Sequence, residues 1–243
     1  MLACYNLREQ QASFDYFQWL VTAKTRGATS VRLHVAEGIK KKNAKYDAAE
    51  GLRRYENIIK PGAVLAGLES TEGPLEGERF YHGIGGVIKT YQEIGSIKKL
   101  KGVLPVGGYK YTVTLRNAAR EQRNSNVENW LKFAKAVDAF VIQDYRDKPI
   151  GLHERMALYE GAEMNYMVSN GPAILCILSE APCAILKIAP EAEGSGSAKF
   201  LESEGLPKGT QYSWFNNRQR LFWCDDTYEN ICKAHEEMNA RAV

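Results

Sequence analysis

Strand-like and helix-like segments alternate regularly through the second half of the chain, and this alternation restricts the possible folds more than any other feature. The pattern predicts strands at 111–115, 139–143, 164–169, 183–188 and 220–223. It predicts helices at 127–137, 153–161, 172–179 and 227–240. Strands joined through helices pair in parallel, because a crossover of this length returns the chain to the same end of the sheet. We therefore expect an α/β fold with a parallel sheet that helices cover on both faces.

The first half shows the same alternation more weakly. Strands are predicted at 2–5 and 30–35, and helices at 14–24 and 48–59. The second helix is expected to end before Pro61, because proline disfavours helical backbone in the residue before it.

Glycine-rich and irregular stretches mark the expected loops and the domain boundary. Residues 67–86 contain six glycines and are predicted to be mostly loop, whereas 86–101 is a short helix or a bridging segment. The segment 190–210 is predicted to be an irregular connection. The Gly107-Gly108 pair after Pro105 is the best candidate for a linker. The predicted domains are accordingly 1–105 and 106–243.

Composition narrows the class of protein. The 243 residues are 44% hydrophobic, enough for one large domain or two small ones, and the net charge of +3 gives little support for binding nucleic acid by charge alone. The five cysteines show no metal-finger spacing and are interpreted as reduced thiols of a cytoplasmic protein. No apolar run is long enough to span a membrane, and the N-terminus lacks the pattern of a signal peptide.

Three arginines follow the strand predicted at 111–115, and they are the strongest indication of a ligand. Ligands of open α/β sheets bind at the carboxyl ends of the strands, and arginine forms paired hydrogen bonds with phosphate oxygens. Polar residues that suit a helix cap come next, so the group is Arg116, Arg120, Arg123, Asn124, Ser125 and Asn126. The alternative interpretation is a capped helix with solvated arginines. Three arginines within eight residues favour an anion site slightly.

Other predicted strand ends carry further candidates. Asp144 is placed to accept a hydrogen bond from a ribose or sugar hydroxyl, or else to pair with a neighbouring arginine. Ser169, Asn170 and Gly171 precede Pro172, and their turn predicts a second helix start with backbone N–H groups that point out of the sheet. Around the last strand, Trp214 is placed to stack on a nucleobase, and Asp225 and Asp226 are placed to bind ribose or sugar hydroxyls. Gln211 is a further candidate for the same ligand. The alternatives are packing for Trp214 and helix capping for the two aspartates.

A general base is harder to find. His82, Glu37 and Asp15 are the candidates that the first half offers. No catalytic-triad spacing, P-loop or Gly-x-Gly-x-x-Gly is present, and the four histidines are scattered without a metal signature.

Several longer motifs resemble a group of GT-B-like glycosyltransferases found in bacterial polysaccharide clusters and in phages. The motifs are the run 112–130, then Gly151-Leu-His-Glu-Arg-Met-Ala-Leu-Tyr-Glu-Gly-Ala, Asn165-Tyr-Met-Val-Ser-Asn-Gly-Pro and Gln219-Arg-Leu-Phe-Trp-Cys-Asp-Asp-Thr-Tyr. In the first half, Ser13-Phe-Asp-Tyr-Phe-Gln-Trp-Leu and Arg54-Tyr-Glu-Asn-Ile-Ile extend the resemblance.

The resemblance implies a GT-B-like fold of two Rossmann-like domains with parallel sheets. The C-terminal domain would hold a nucleotide-sugar donor, expected to be UDP-linked, and a reduced N-terminal domain would face the acceptor. By this analogy Arg116, Arg123 and Asn124 face the diphosphate, Ser169, Asn170 and Gly171 donate backbone N–H groups to it, and Arg155 lines or braces the site. No cofactor besides the donor is expected.

The sequence thus predicts a metal-independent glycosyltransferase whose acceptor is open. A polysaccharide is one acceptor, and hydroxymethylated pyrimidine in phage DNA is another, for which Lys40, Lys41, Lys42, Lys98, Lys99 and Lys101 would contact the phosphate backbone. The alternative is a nucleotide-binding or regulatory subunit without catalysis. A homo-oligomer is compatible with either interpretation.

Overall fold

The protein forms two compact units in the computed structural model, which describes residues 1–35, 47–81, 83–117, 123–143, 150–186 and 197–241. One unit comprises Met1–Val103 with Gly151–His153, and the other comprises Leu104–Ile150 with Glu154–Val243. Each unit contains a parallel sheet, of three and of five described strands respectively. The predicted mixed α/β class with parallel sheets is confirmed.

The sheet of the first unit contains β1 (Leu2–Asn6), β2 (Ser30–His34) and β3 (Glu69–Glu72) in that order. The prediction missed β3, because its sequence Glu-Ser-Thr-Glu lacks the apolar alternation of a half-buried strand. It lies at the edge of the described sheet, where few side chains are buried, and its pairing with β2 is decided by backbone hydrogen bonds.

The helices of the first unit begin with α1 (Asp15–Thr25) and continue through a composite segment. This segment contains α2 (Ala48–Arg54), a π-helical turn at Tyr55–Ile59, α3 (Lys60–Gly62) and a 3-10 turn at Ala63–Ala66. The expected stop before Pro61 is wrong, because Pro61 lies in the first turn of α3, where no backbone N–H donor is required. After β3, α4 (Ile84–Ile94) starts at Gly83 and stops at Gly95, both with positive φ.

The sheet of the second unit contains β4 (Tyr111–Leu115), β5 (Phe140–Gln143), β6 (Met164–Val168), β7 (Cys183–Leu186) and β8 (Gln219–Leu221). All pair in parallel, in the order β5-β4-β6-β7-β8. The helices are α5 (Val127–Val137), α6 (Leu152–Gly161), α7 (Ala173–Ile177), α8 (Ala198–Ser203) and α9 (Tyr228–Arg241). The prediction missed α8, which Ser197 caps inside a stretch expected to be irregular.

The two faces of this sheet differ in character. On one face, side chains of β4, β6 and β7 pack with α5 and α9 in an apolar core that includes Val113, Trp130, Phe133, Tyr166 and Ile231. On the other face the buried contacts include polar ones, with Thr112 Oγ1 donating to Asn165 Oδ1 at 2.6 Å and Thr114 Oγ1 lying 3.0 Å from Tyr159 Oη. Helices therefore cover both faces, as expected for a doubly wound sheet.

Candidate functional site

The candidate site lies where the strand order of the five-stranded sheet reverses. From β4 the chain passes to β5 at one edge, and it then returns across β4 to β6 on the other side. The helix after β4 is α5, whose Trp130 and Phe133 lie in the apolar core. The helix after β6 is α7, whose Cys176 lies beside Cys183 on the opposite face. The loops after β4 and β6 therefore lead to opposite faces of the sheet, and this is the position at which ligands of such sheets bind.

Register brings the predicted arginine loop and the predicted Ser-Asn-Gly turn to the same level. Thr114 on β4 pairs with Met167 on β6, so Arg116 and Ser169 each follow two residues later. Arg123 connects the two loops directly, since its Nη2 donates to the backbone carbonyl of Ser169 at 3.3 Å. Arg116, Arg123 and Ser169 are thus brought to the reversal point.

The loop after β4 is closed at its base by Ser125. The backbone N–H of Arg116 donates to Ser125 Oγ at 2.9 Å, and the backbone N–H of Ser125 donates to the Arg116 carbonyl at 3.0 Å. Asn126 then caps α5, accepting from the Asn129 N–H at 3.3 Å. The sequence offered capping and ligand binding as alternatives for this polar trio, and the structure assigns Ser125 and Asn126 to positioning. Asn124 is partly buried between them and Arg123.

The turn after β6 differs from its prediction. The helix α7 has only five residues, Ala173–Ile177, whereas the pattern predicted a helix at 172–179. Asn170 Oδ1 accepts from the Ala173 N–H at 2.9 Å, and the Ile174 N–H donates to the Gly171 carbonyl at 3.2 Å. The resemblance implied that the backbone N–H groups of Ser169, Asn170 and Gly171 donate to the diphosphate. The Ser169 N–H instead donates to the Leu186 carbonyl at 3.0 Å, so for Ser169 that expectation is corrected.

Arg155 is a buried brace of the sheet. It is 2% exposed, and its Nη1 donates to Tyr159 Oη at 3.2 Å, which in turn contacts Thr114 near the end of β4. Burial raises the pKa of Tyr159, so this hydroxyl stays protonated in the chain of hydrogen bonds. Of the two roles that the resemblance implied, lining or bracing, the geometry matches bracing.

Two candidates around β8 have other contacts. The side chain of Gln211 completes the outer edge of β8, because Nε2 donates to the Leu221 carbonyl at 2.9 Å and Oε1 accepts from the Leu221 N–H at 2.7 Å. Trp214 donates from Nε1 to the Ile177 carbonyl at 2.8 Å and is buried, as the packing alternative expected. None of these contacts is with a residue at the end of β4 or β6.

The paired aspartates after β8 separate into different environments. Asp225 is exposed, and its backbone carbonyl accepts from Asn230 Nδ2 at 2.9 Å. Asp226 is 3% exposed, and its carboxylate accepts hydrogen bonds from Asn126 and Trp130 at the start of α5. Thr227 caps α9, accepting from the Asn230 N–H at 3.2 Å.

The remaining candidates lie elsewhere. Arg120, Asp144, Glu37 and His82 lie outside the described residues. Asp15 belongs to the first unit and is the first residue of α1. Its exposed carboxylate accepts a hydrogen bond from Ser13 Oγ at 3.2 Å.

Within the described ranges, no cluster of three or more His, Cys, Asp and Glu side chains has the geometry of a metal site. Over the same ranges no helix combines the length and apolar character needed to cross a bilayer.

Comparisons with protein-family models, with curated proteins and with solved structures found no match to this chain.

Proposed function

We propose that the five-stranded unit binds the diphosphate of a nucleotide sugar at the ends of β4 and β6, and that the chain transfers the sugar to an acceptor hydroxyl. The observation that carries the proposal is the hydrogen bond from Arg123 to the Ser169 carbonyl at the reversal of strand order. It places a guanidinium at the point where doubly wound sheets bind phosphorylated ligands.

The proposed reaction needs positive charge at this position. The acceptor oxygen forms a bond with the anomeric carbon while the bond from that carbon to the donor phosphate breaks. The diphosphate leaves with the electron pair, and the acceptor proton passes to a base. Because negative charge grows on the diphosphate, fixed guanidinium groups stabilise the transition state more than the ground state. We assign this role to Arg116 and Arg123.

The reaction class comes from the resemblance of the sequence motifs to GT-B-like glycosyltransferases. The motifs 112–130 and 165–172 of that resemblance contain Arg116, Arg123 and Ser169, which follow the carboxyl ends of β4 and β6. A polysaccharide hydroxyl and a hydroxymethylated base in DNA are both suitable acceptors for the same chemistry.

Binding of the donor is tested by thermal unfolding and calorimetry with UDP and a panel of UDP-sugars. At roughly 100 times its Kd, a nucleotide adds about 2.7 kcal/mol to the free energy of unfolding. We expect Arg123→Ala to weaken nucleotide binding roughly tenfold to a hundredfold, because it removes a charge-assisted contact to phosphate. Arg241→Ala is the matched control, since Arg241 is an exposed arginine that pairs with Glu237 on α9. Equal nucleotide affinity in the two variants would contradict the proposed site.

Catalysis is tested separately by hydrolysis of the bound UDP-sugar and by transfer to candidate acceptors. We expect turnover to continue in excess EDTA, because arginines rather than a cation neutralise the diphosphate in this proposal. Nucleotide binding with neither hydrolysis nor transfer would instead support the alternative of a non-catalytic nucleotide-binding subunit.

A further inference from the structure

A second concave site lies within the first unit, between α1, α4 and the extended segment 79–81. Its volume is about 530 Å³, within the range of small-molecule sites. It is lined by Thr22, Arg26, Arg79, Phe80, Tyr81, Gly85, Gly86, Lys89 and Thr90. None of the residues that end β1, β2 or β3 belongs to this lining, so the cavity is separate from the strand ends of its own sheet.

The charge of this cavity is positive. Three of its lining side chains are cations, Arg26, Arg79 and Lys89, and no lining residue is acidic. Glu93 is the nearby carboxylate, at 2.5 Å from Arg26 and 4.0 Å from Lys89. Within the described part of the chain the Arg79 guanidinium forms neither a hydrogen bond nor an ion pair. Glu93 therefore pairs with two of the three cations, and Arg79 adds a third, which favours an anionic ligand.

Arg26 is held in place for such a ligand. Its Nε donates to Thr90 Oγ1 at 3.3 Å, and Thr90 is 1% exposed. Glu93 holds the other side of the same guanidinium. A guanidinium fixed by two partners loses little side-chain entropy when it binds an anion, which improves affinity.

Two aromatic rings form the remaining wall. Phe80 packs edge-on against the buried Trp19 with ring centroids 6.3 Å apart, whereas Tyr81 is 61% exposed. The backbone of α4 approaches Tyr81 so closely that a Cβ on Gly86 would lie 2.7 Å from Tyr81 Cδ1. An exposed ring fixed against a helix beside cations suits a ligand with a flat apolar part.

We propose that this cavity binds a small molecule that carries a phosphate group and an aromatic ring. Arg26, Arg79 and Lys89 bind the phosphate, and Phe80 and Tyr81 contact the ring. Guanidinium groups favour phosphate because its oxygens accept paired hydrogen bonds from them. This site is independent of the nucleotide-sugar site proposed for the five-stranded unit.

The test is a titration of the full-length protein with phenyl phosphate, followed by backbone amide chemical shifts and calorimetry. We expect saturable shifts in α1, α4 and the segment 79–81, and weaker binding of inorganic phosphate, which lacks the ring. Benzylamine carries a similar ring with the opposite charge and is expected not to bind. Absence of saturable shifts with phenyl phosphate overturns the proposal, and so does equal binding of benzylamine. Equal affinity for inorganic phosphate and phenyl phosphate overturns the assignment of an aromatic ligand.

Substitutions locate the binding within the cavity. Arg79→Ala removes an exposed side chain, so folding is expected to be retained, and we expect affinity for phenyl phosphate to fall roughly tenfold. Lys60→Ala is the control, because Lys60 is an exposed cation that pairs with Glu56 outside the cavity. Unchanged affinity in Arg79→Ala contradicts the proposal.

One further variant separates the two sites. Arg123→Ala alters the site at β4 and β6 but leaves the cavity intact, so it should bind phenyl phosphate in the first unit like the unmodified chain. Loss of the α1 and α4 shifts in Arg123→Ala would mean that phenyl phosphate binds only at the nucleotide site, and it would overturn the second site without affecting the first.

Discussion

The carboxylate of Asp226 links the loop after β8 to the start of α5. Its Oδ2 accepts from the Asn126 backbone N–H at 2.7 Å and from Trp130 Nε1 at 2.8 Å. Trp130 is fully buried, so its indole N–H has no access to water if this acceptor is removed. A buried donor without a partner is costly, and Asp226 is therefore a residue of the scaffold that positions the arginine loop.

Asp226→Ala is expected to lower the free energy of unfolding by about 2 to 4 kcal/mol, because two donors lose their acceptor, one of them buried. Asp225→Ala is the control, because the Asp225 carboxylate is next to Asp226 in the sequence but is exposed. Its effect on the free energy of unfolding is expected to stay within about 0.5 kcal/mol. Urea unfolding followed by tryptophan fluorescence measures both. Similar losses in the two variants would show that the buried contacts contribute little.

His235 is expected to make the stability of the second unit depend on pH. It lies half-buried on α9 against Tyr166 and Tyr111, and Asn239 Nδ2 donates to its Nε2 at 3.0 Å. Burial lowers the pKa of His235 below its ordinary value, with a further lowering by Lys110 and an opposing effect of Glu236. The folded protein therefore favours the neutral ring.

The sign of the pH effect follows from that lowered pKa. Between the folded and the unfolded pKa of His235, the unfolded chain binds more protons, so stability should fall as pH drops below about 6.5 and level off once the folded pKa is passed. His235→Gln keeps a polar amide and cannot titrate there, so its free energy of unfolding should fall less between about pH 7.5 and pH 5. Urea unfolding of both proteins across this pH range measures the difference. Parallel pH profiles of their free energies of unfolding would contradict the assignment to His235.

At the scale of elements, the bounds of α5 and β4 agree with their predictions. The pattern of apolar residues predicted α5 at 127–137, which are its observed bounds, and Asn126 precedes it as a polar cap. β4 likewise has its predicted bounds. Both signals are local, since capping and periodicity act within one turn or one strand.

Asn126→Ala is expected to destabilise the protein by about 1 kcal/mol, because the Asn129 N–H loses its acceptor at the start of α5. Asn126→Asp keeps an acceptor at the same position and should restore most of that loss. The midpoint of urea unfolding compares the three proteins. If Asn126→Asp proves as unstable as Asn126→Ala, the cap is not what stabilises this helix end.

Other elements differed from what their local sequence indicated. Pro61 lies within a helical region because a π-helical turn precedes it and starts a new helical segment around it. β3 is a strand because β2 pairs with it, although its own residues carry no strand pattern. Gln211 is a side-chain partner for the edge of β8, which no spacing in the sequence indicates.

At the scale of the whole molecule, the two units are expected to respond to different ligands. Hydrogen exchange measured with saturating UDP should slow at 123–126 and 169–174, because the proposed donor contacts the loops after β4 and β6. Amides of β1 and β2 should exchange as before. Slower exchange confined to the three-stranded sheet would place the nucleotide in the wrong unit and contradict the proposed function.

The sequence by itself determined the class of the fold and most of its elements, because the period of apolar residues and the identity of caps and breakers are local properties. It also marked Arg116, Arg123 and Ser169 as candidates, since strand ends can be located from those same patterns. Only the tertiary structure decided the strand order, which depends on contacts between residues far apart in the chain. That order places β4 beside β6 and brings Arg123 to the carbonyl of Ser169, 46 positions along the chain. It also assigned Gln211 and Asp226 to the scaffold, because a polar side chain forms its hydrogen bonds with whichever backbone groups the completed fold places beside it.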